Sequence, residues 1–325
     1  VIHNALQGNP EGLSDEQKQV FENNNRMAAE SLAGGFDFVV VHDPQPLLIR
    51  HYGGAGDAKW VWHCHIDTST PNKEVADYLL PYVSHFDSAI FTMEQYVFNG
   101  LDIPVNVFMP AIDPLSTKNM ALSPDDADYV VGQFGIEPGR PLMLQISRFD
   151  PWKDPLGVID AYGIVKKDFA AVRLALVGSM ATDDPEGWSF FTSTVEHAGD
   201  DGDVIILSNL NNVGNLEVNA FQSRADVVIQ KSIREGFGLT VSEALWKGKP
   251  TIGGNVGGIP SQIIDGKTGY LVESPEQCAE RSMWVLDNPK EARAMGRAGK
   301  EHVRAHFLVP RLLRDYLALL KKLKG

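Results

Sequence analysis

Apolar residues along this chain fall into short unbroken runs separated by amphipathic stretches. In the first half the runs are FDFVVVH (36–42), WVWHC (60–64), SAIFTM (88–93) and VNVFM (105–109). None alternates cleanly, which is the pattern of strands whose sheet is covered by helices on both faces. Ahead of them, Ser14 stands three residues before Gln17 in a capping-box pattern. Leu13, Val20, Phe21, Met27, Ala28 and Leu32 follow at helical spacing, and Gly34-Gly35 closes the predicted helix. The opening Val-Ile-His reads as the end of an earlier element.

The second half repeats the alternation more clearly. PLMLQIS (141–147) leads to a predicted helix over 155–167, then VRLALVG (172–178), a helix near 188–198, and VIILSNL (204–210). A helix near 214–223, DVVIQ (226–230), a helix over 239–248, PTIGG (250–254) and short pairs around Ile263 and Tyr270–Val272 complete it. Strand–helix alternation in both halves predicts an α/β protein with two parallel-sheet domains. The chain ends in an amphipathic helix with Leu312, Leu313, Tyr316, Leu317, Leu320 and Leu323 on one face, and its Lys321, Lys322 and Lys324 complement the negative end of the helix dipole.

Composition adds boundaries to this picture. The 325 residues, 43% hydrophobic and 22% charged, have an ordinary globular balance. That balance excludes a disordered tail, a collagen-like fibre and a basic nucleic-acid module. No run reaches the ~18 apolar residues of a membrane span, and no leader-type apolar segment opens the chain. Two cysteines, Cys64 and Cys278, are too few for a disulfide framework, so a cytoplasmic setting is the default expectation. Residues 1–139 hold 6 Lys+Arg against 19 Asp+Glu and carry the whole net charge of −13. This asymmetry predicts a boundary near Gly139–Pro141 and puts any phosphate-bearing ligand in the second half.

Ligands of parallel α/β sheets sit outside the carboxyl ends of the strands, and three polar clusters fall there in the second half. The first is SRFDPWK (147–153). Arg148 and Lys153 share one strand-to-helix loop and either grip one polyanion or stand as surface cations neutralised by Asp150 and Asp154. The second is REGFGLTVSE (234–243). Gly236 and Gly238 let the backbone approach a ligand, the amides of Gly238, Leu239 and Thr240 open a helix as an anion site, and Glu235 and Glu243 flank it. Such carboxylates are suited to sugar hydroxyls. The alternative, a dipole-complementing Glu243 and a solvated Glu235, accounts for one acid better than for two. The third cluster, GGNVGGI (253–259), is either a phosphate-approach loop or a tight turn into the next helix.

In the first half, His63 and His65 alternate onto one face at the end of a strand, with Asp67 beyond them. A metal needs a third ligand. Asp67 could serve but nothing else clusters with it in sequence, so no metal is expected. His65 is either a hydrogen-bonding group at the interdomain cleft or a structural histidine. His42-Asp43-Pro44 ends another strand as cleft lining or as a turn. Trp60, Trp62, Trp152, Trp188, Trp246 and Trp284 read as core or cleft wall, because no basic aromatic stripe accompanies them.

Together the clusters resemble those of the retaining glycosyltransferases of GT-B architecture. More narrowly, HNALQGNP, HDPQP, WHCHIDTSTPN, SRFDPWK, DDPEGW, VNAFQ and SIREGFGLTVSEA resemble the glycosyltransferring trehalose synthases from His3 almost to the end of the chain. The resemblance implies two Rossmann-like domains facing across a cleft, an acceptor-side domain over 1–139 and a donor domain over 140–306. The helix 307–325 is expected to pack back on the first. In the superfamily a strand, Gly-rich turn and helix begin the first domain. None precedes His3, so that domain is expected to be incomplete. The resemblance also implies that Arg148 and Lys153 hold the diphosphate of a nucleotide-activated glucose. Amides around Phe237, Gly238 and Leu239 contact phosphates or sugar, Glu243 the ribose, Glu235 the glucose, and His65 the donor sugar. Gly236 belongs to the same donor-binding turn. No cofactor or metal is expected, the acceptor is a small sugar (glucose), and a homo-oligomer is compatible with the sequence. A retaining trehalose phosphorylase and a donor-binding protein without transfer activity are the alternatives. A trehalose-phosphate synthase is disfavoured by the acidic first half.

Overall fold

The computed structural model describes residues 1–32, 34–53, 56–180 and 185–325. Two compact units divide it, residues 1–110 with 312–325 and residues 111–311. The boundary lies well before the charge transition at residue 139. The reason is packing: Ala127, Val131 and Ile136 belong to the apolar core of the second unit, and the acidic side chains around them ride on its surface.

In the first unit, β1 (Phe38–His42), β2 (Lys59–Cys64), β3 (Ser88–Phe91) and β4 (Val105–Val107) form a parallel sheet in that order. Helices α1 (Ile2–Leu6), α2 (Asp15–Glu30), α3 (Ile49–Tyr52) and α4 (Lys73–Val83) accompany them. Alternation along β2 sends Trp60, Trp62 and Cys64 into one core with Leu79 and Val83, and Val61 into another with Ile90, Phe108 and Leu319. The capping box at Ser14 forms as expected, with Ser14 Oγ accepting from Gln17 N–H at 3.2 Å. The stripe on α2 differs from the hydropathy pattern, however. Val20 and Met27 are exposed, whereas Phe21, Asn25 and Ala29 are buried. Asn25 replaces an apolar residue because its amide bonds the carbonyls of Phe21 and Gln45 and accepts from Leu48 N–H. The helix stops at Glu30, with Ser31 as its cap, before the Gly34-Gly35 pair is reached.

The second unit contains β5 (Leu142–Ile146), β6 (Arg173–Gly178), β7 (Val204–Ser208), β8 (Val227–Gln230), β9 (Thr251–Gly254) and β10 (Tyr270–Val272), all parallel, in the order β10-β9-β8-β5-β6-β7. Its helices are α5 (Pro124–Gly132), α6 (Pro155–Asp168), α7 (Pro185–Ala198), α8 (Asn215–Arg224), α9 (Leu239–Trp246), α10 (Ile259–Gln262), α11 (Pro275–Asp287) and α12 (Pro289–His306). Ile263 caps α10 and is not a strand residue. α13 (Val309–Lys324) follows, and its residues from Leu312 onward belong to the first unit. There Leu319 is buried with Leu312, Tyr316 and Leu323 beside it, while Leu313 and Leu317 stay exposed. Among the described residues no helix is long and apolar enough to cross a membrane. Of the six tryptophans, Trp60 and Trp62 are fully buried, but Trp152 and Trp188 are exposed rather than core.

Candidate functional site

The chain builds β5, β6 and β7 outward in one direction, then returns to the other side of β5 to lay down β8, β9 and β10. β5 and β8 therefore flank the switch point of the sheet. The loops leaving their carboxyl ends occupy the usual ligand position in such sheets. Those loops are 147–154 and 231–238, the first two polar clusters of the sequence.

The first loop is pinned by its own polar groups. Asp150 caps a 3-10 turn over Pro151–Lys153 by accepting Lys153 N–H, and Gln145 on β5 donates to the Lys153 carbonyl at 2.7 Å. Trp152 then accepts backbone N–H groups from Ile233 at 2.9 Å and Arg234 at 3.3 Å, tying the two loops together. The Arg234 guanidinium lies over the Trp152 ring, 5.6 Å from its centre, a cation–π contact. Asp154 adopts a left-handed backbone (φ 51°), caps α6 through Gly157 N–H, and pairs with Lys231.

Lys153 Nζ lies 2.7 Å from Glu235 Oε2, with side chains 15% and 9% exposed. The same oxygen accepts from Ser232 Oγ at 3.1 Å, whose hydroxyl accepts in turn from Gln230 Nε2, while Gln230 Oε1 accepts from Thr240 Oγ1. This buried polar chain joins β8, the loop and the first turn of α9. Gly238, the N-cap of α9, has φ 83°, a region that costs an L-residue roughly 1–2 kcal/mol. A Cβ there would come within 3.1 Å of Glu235 Cγ. Glycine at 238 thus serves both the turn and the acid beside it.

The sequence expectations are met unevenly. The two loops do come together. The cations are neutralised differently, however. Arg148 is largely exposed and pairs with Asp150 at 3.1 Å, as in the surface-cation reading, but Lys153 pairs with Glu235, and Asp154 belongs to Lys231. Glu243 lies one turn into α9 and buried, with Oε1 2.9 Å from Lys118 Nζ and Oε2 in contact with no hydrogen-bond donor. Burial pushes the nearby Lys247 ammonium down to about 8, against the attraction of Glu243. Phe237 is a buried core residue whose ring packs on Phe307, Leu239 is exposed, and Gly236 is half-buried.

The third cluster serves packing. A Cβ on Gly253 would meet Ile259 at 2.5 Å, and one on Gly258 would meet the Phe237 backbone at 2.8 Å. Gln262 holds that backbone as well, donating to the Phe237 carbonyl. These glycines let α10 press against the 234–238 turn, which favours the tight-turn reading. Lys231 escaped the sequence reading, and Ser232 entered it only as the first residue of SIREGFGLTVSEA, without a role. The available signal was a lysine directly after the apolar run DVVIQ, at a strand's carboxyl end. Asp183 and Asp184 of the DDPEGW motif lie outside the described residues.

In the first unit, His65 stands just beyond β2, its N–H donated to Asp43 Oδ1 at 2.9 Å, and it meets His42 and His63. Burial and the Asp43 carboxylate act on it in opposite senses, and burial prevails, lowering its proton affinity. The third histidine was missed because the sequence offered only Asp67. Asp67 instead accepts the Ser69 N–H and hydroxyl.

Comparison with known proteins matches two family models to separate stretches of the chain. Residues 1–98 match the family model "Trehalose synthase, N-terminal domain", and residues 130–302 match "Glycosyl transferases group 1". The trehalose synthase of Rubrobacter xylanophilus is 56% identical over 330 residues, covering 100% of this chain and 79% of that protein. Among solved structures, sucrose-phosphate synthase from Thermosynechococcus elongatus superposes with a TM-score of 0.78 at 19% identity, over 98% of this chain and 82% of that one. Anabaena HepE in complex with UDP-glucose superposes with a TM-score of 0.76 at 16% identity, over 93% of this chain and 82% of that one.

Proposed function

The chain belongs to the trehalose synthase family of group 1 glycosyl transferases, and from that footing we propose that it moves glucose from a nucleotide-glucose donor onto glucose, forming trehalose with retention at the donor carbon. The coarser statement, a trehalose-related glycosyltransferase of GT-B fold, follows from the family itself. The observation that carries the finer one is the joining of the Lys153 and Glu235 loops at the switch point of the second sheet.

The proposed chemistry follows from charge. As the acceptor oxygen bonds to the anomeric carbon and the C–O bond to the diphosphate breaks, positive charge builds on the sugar and negative charge on the leaving group. Arg148, Lys153 and the amides at the start of α9 stabilise the latter. Glu235 holds glucose hydroxyls, and the leaving phosphate oxygen takes the acceptor proton on the same face. The side-chain cations and helix terminus supply the neutralising charge, so transfer is proposed to proceed without a metal. Glu243 receives the ribose, its orphan Oε2 being an acceptor in want of a donor. His65 is assigned to the donor sugar by resemblance. Both cysteines are buried free thiols, which suits the proposed cytoplasmic setting.

The test is direct. The protein is incubated with glucose and UDP-glucose, ADP-glucose or α-glucose 1-phosphate in turn, and α,α-trehalose is followed by NMR. Product from a nucleotide donor supports the reading. Product from glucose 1-phosphate alone indicates a phosphorylase, and nucleotide binding without product from any donor indicates a binding protein.

A further inference from the structure

We propose that His42, His63 and His65 form a binding site for one zinc-class divalent cation at the carboxyl ends of β1 and β2. The three side chains come from neighbouring parallel strands in a register that sets His42 opposite His63, with His65 two residues on, facing the same way. One ring nitrogen from each lies within 4.8 Å of the others.

Proton accounting shows why the cluster is built for a ligand. A neutral imidazole has one donor and one acceptor nitrogen. His42 Nδ1 and His65 Nε2 meet at 2.8 Å and share a single proton. His63 Nδ1 bonds the Tyr316 hydroxyl. His63 Nε2 is then left buried with no hydrogen-bond partner, in a residue only 3% exposed. Leaving such an atom unsatisfied costs about 1–3 kcal/mol. A cation satisfies it at once, provided that Nδ1 carries the proton and donates to Tyr316. That is the outer-shell arrangement that fixes the tautomer and orientation of metal-bound histidines. Zinc–nitrogen bonds of ~2.0–2.1 Å in a tetrahedron set neighbouring nitrogens ~3.4 Å apart. His63 is fixed by Tyr316, whereas His42 and His65 are exposed and held to each other by their ring nitrogens, the contact that a shared cation would replace. Their exposure also leaves the fourth position open to water.

The backbone supports the same geometry. Asp43, between the two strands, is held in the left-handed region (φ 64°). Its N–H donates to the His63 carbonyl, its own carbonyl accepts from Trp62 Nε1, and its carboxylate accepts the His65 N–H. The fold spends a strained residue on fixing where His42 and His65 emerge.

The inference shares His65 with the proposed transfer reaction but does not rest on it, since its readouts are metal uptake and spectroscopy. Full-length protein stripped with a chelator is titrated with Zn²⁺ in competition with a chromogenic chelator, and in parallel with Co²⁺. The expected result is one Zn²⁺ per chain at about micromolar affinity or tighter, and visible Co²⁺ absorption of tetrahedral strength. His42→Ala and His65→Ala, both at exposed positions, are each expected to weaken uptake by about 100-fold. His306→Ala, which breaks the His302–His306 pair on α12, is expected to leave it unchanged. Absence of stoichiometric uptake, or uptake that survives both substitutions together, overturns the proposal.

Discussion

Lys153 on the loop after β5 and Glu235 on the loop after β8 are 82 residues apart in the chain and 2.7 Å apart in space. The pair is mostly buried, so each charge depends on the other. Removing one partner of such a pair costs far more than the pair contributes, because the survivor is left uncompensated. The same two residues are proposed to divide when donor binds, the lysine to diphosphate and the acid to sugar.

Glu235→Gln keeps the shape and retains an acceptor for the Ser232 hydroxyl. It is expected to lower the transfer rate at saturating donor by roughly 10²–10³, the scale for losing a fixed electrostatic partner, with a cooperative unfolding transition. Steady-state kinetics with circular-dichroism melts check this. Turnover within a few-fold of wild type removes Glu235 from the reaction.

Gly238→Ala places a side chain in a left-handed position and against Glu235. A stability loss of about 1–2 kcal/mol is expected, seen in calorimetry as a fall in Tm of several degrees. Transfer activity is expected to fall further than stability alone explains, since the new methyl group displaces the acid.

Glu243, the proposed ribose partner, offers a way to separate nucleotide from phosphate chemistry. A nucleoside diphosphate at 100 times its Kd is expected to stabilise the protein by about 2.7 kcal/mol, with inorganic phosphate giving much less. Glu243→Gln is expected to weaken the nucleotide effect and leave any phosphate effect alone. Differential scanning fluorimetry with UDP, ADP and phosphate reads both. Equal protection by phosphate favours the phosphorylase alternative.

Lys247 makes stability depend on pH. Its amine, held at 3.2 Å from Asn119 Oδ1, is lowered by burial to about 8, whereas an unfolded lysine keeps the ordinary value of 10.5. Between these values the unfolded chain binds more protons, so this group's contribution to stability rises as pH climbs above 8. Below 8 both states are protonated and the contribution is flat. Urea unfolding at pH 7.5, 8.5 and 9.5 is expected to show the wild type gaining on Lys247→Met by up to about 1.4 kcal/mol per pH unit. A constant difference contradicts the assignment.

Much of this molecule is legible in the sequence, because covered strands and glycine turns are written locally. The ten strand runs, the capping box at Ser14 and the turn before α9 needed no partner to be recognised. What was hidden depends on distant partners. Asn25 reads as a surface residue until Gln45 and Leu48 are brought to it. Leu319 was passed over for Leu313 and Leu317 because hydropathy cannot say which leucines of α13 meet Val61 and Phe108. The pairing of Lys231 with Asp154 follows from strand order, and that of Lys118 with Glu243 from the docking of the 117–120 segment on Asn219 of α8, neither from spacing. His42 joined His63 and His65 through the β1–β2 register alone.

The loops after β5 and β8 are proposed to cup the donor's diphosphate. A crystal of the protein grown with a nucleotide-glucose tests it most directly. Phosphate oxygens are expected against Arg148, Lys153 and the amides of Gly238 and Leu239, with the ribose on Glu243. A donor bound elsewhere, with Lys153 still on Glu235, would contradict it.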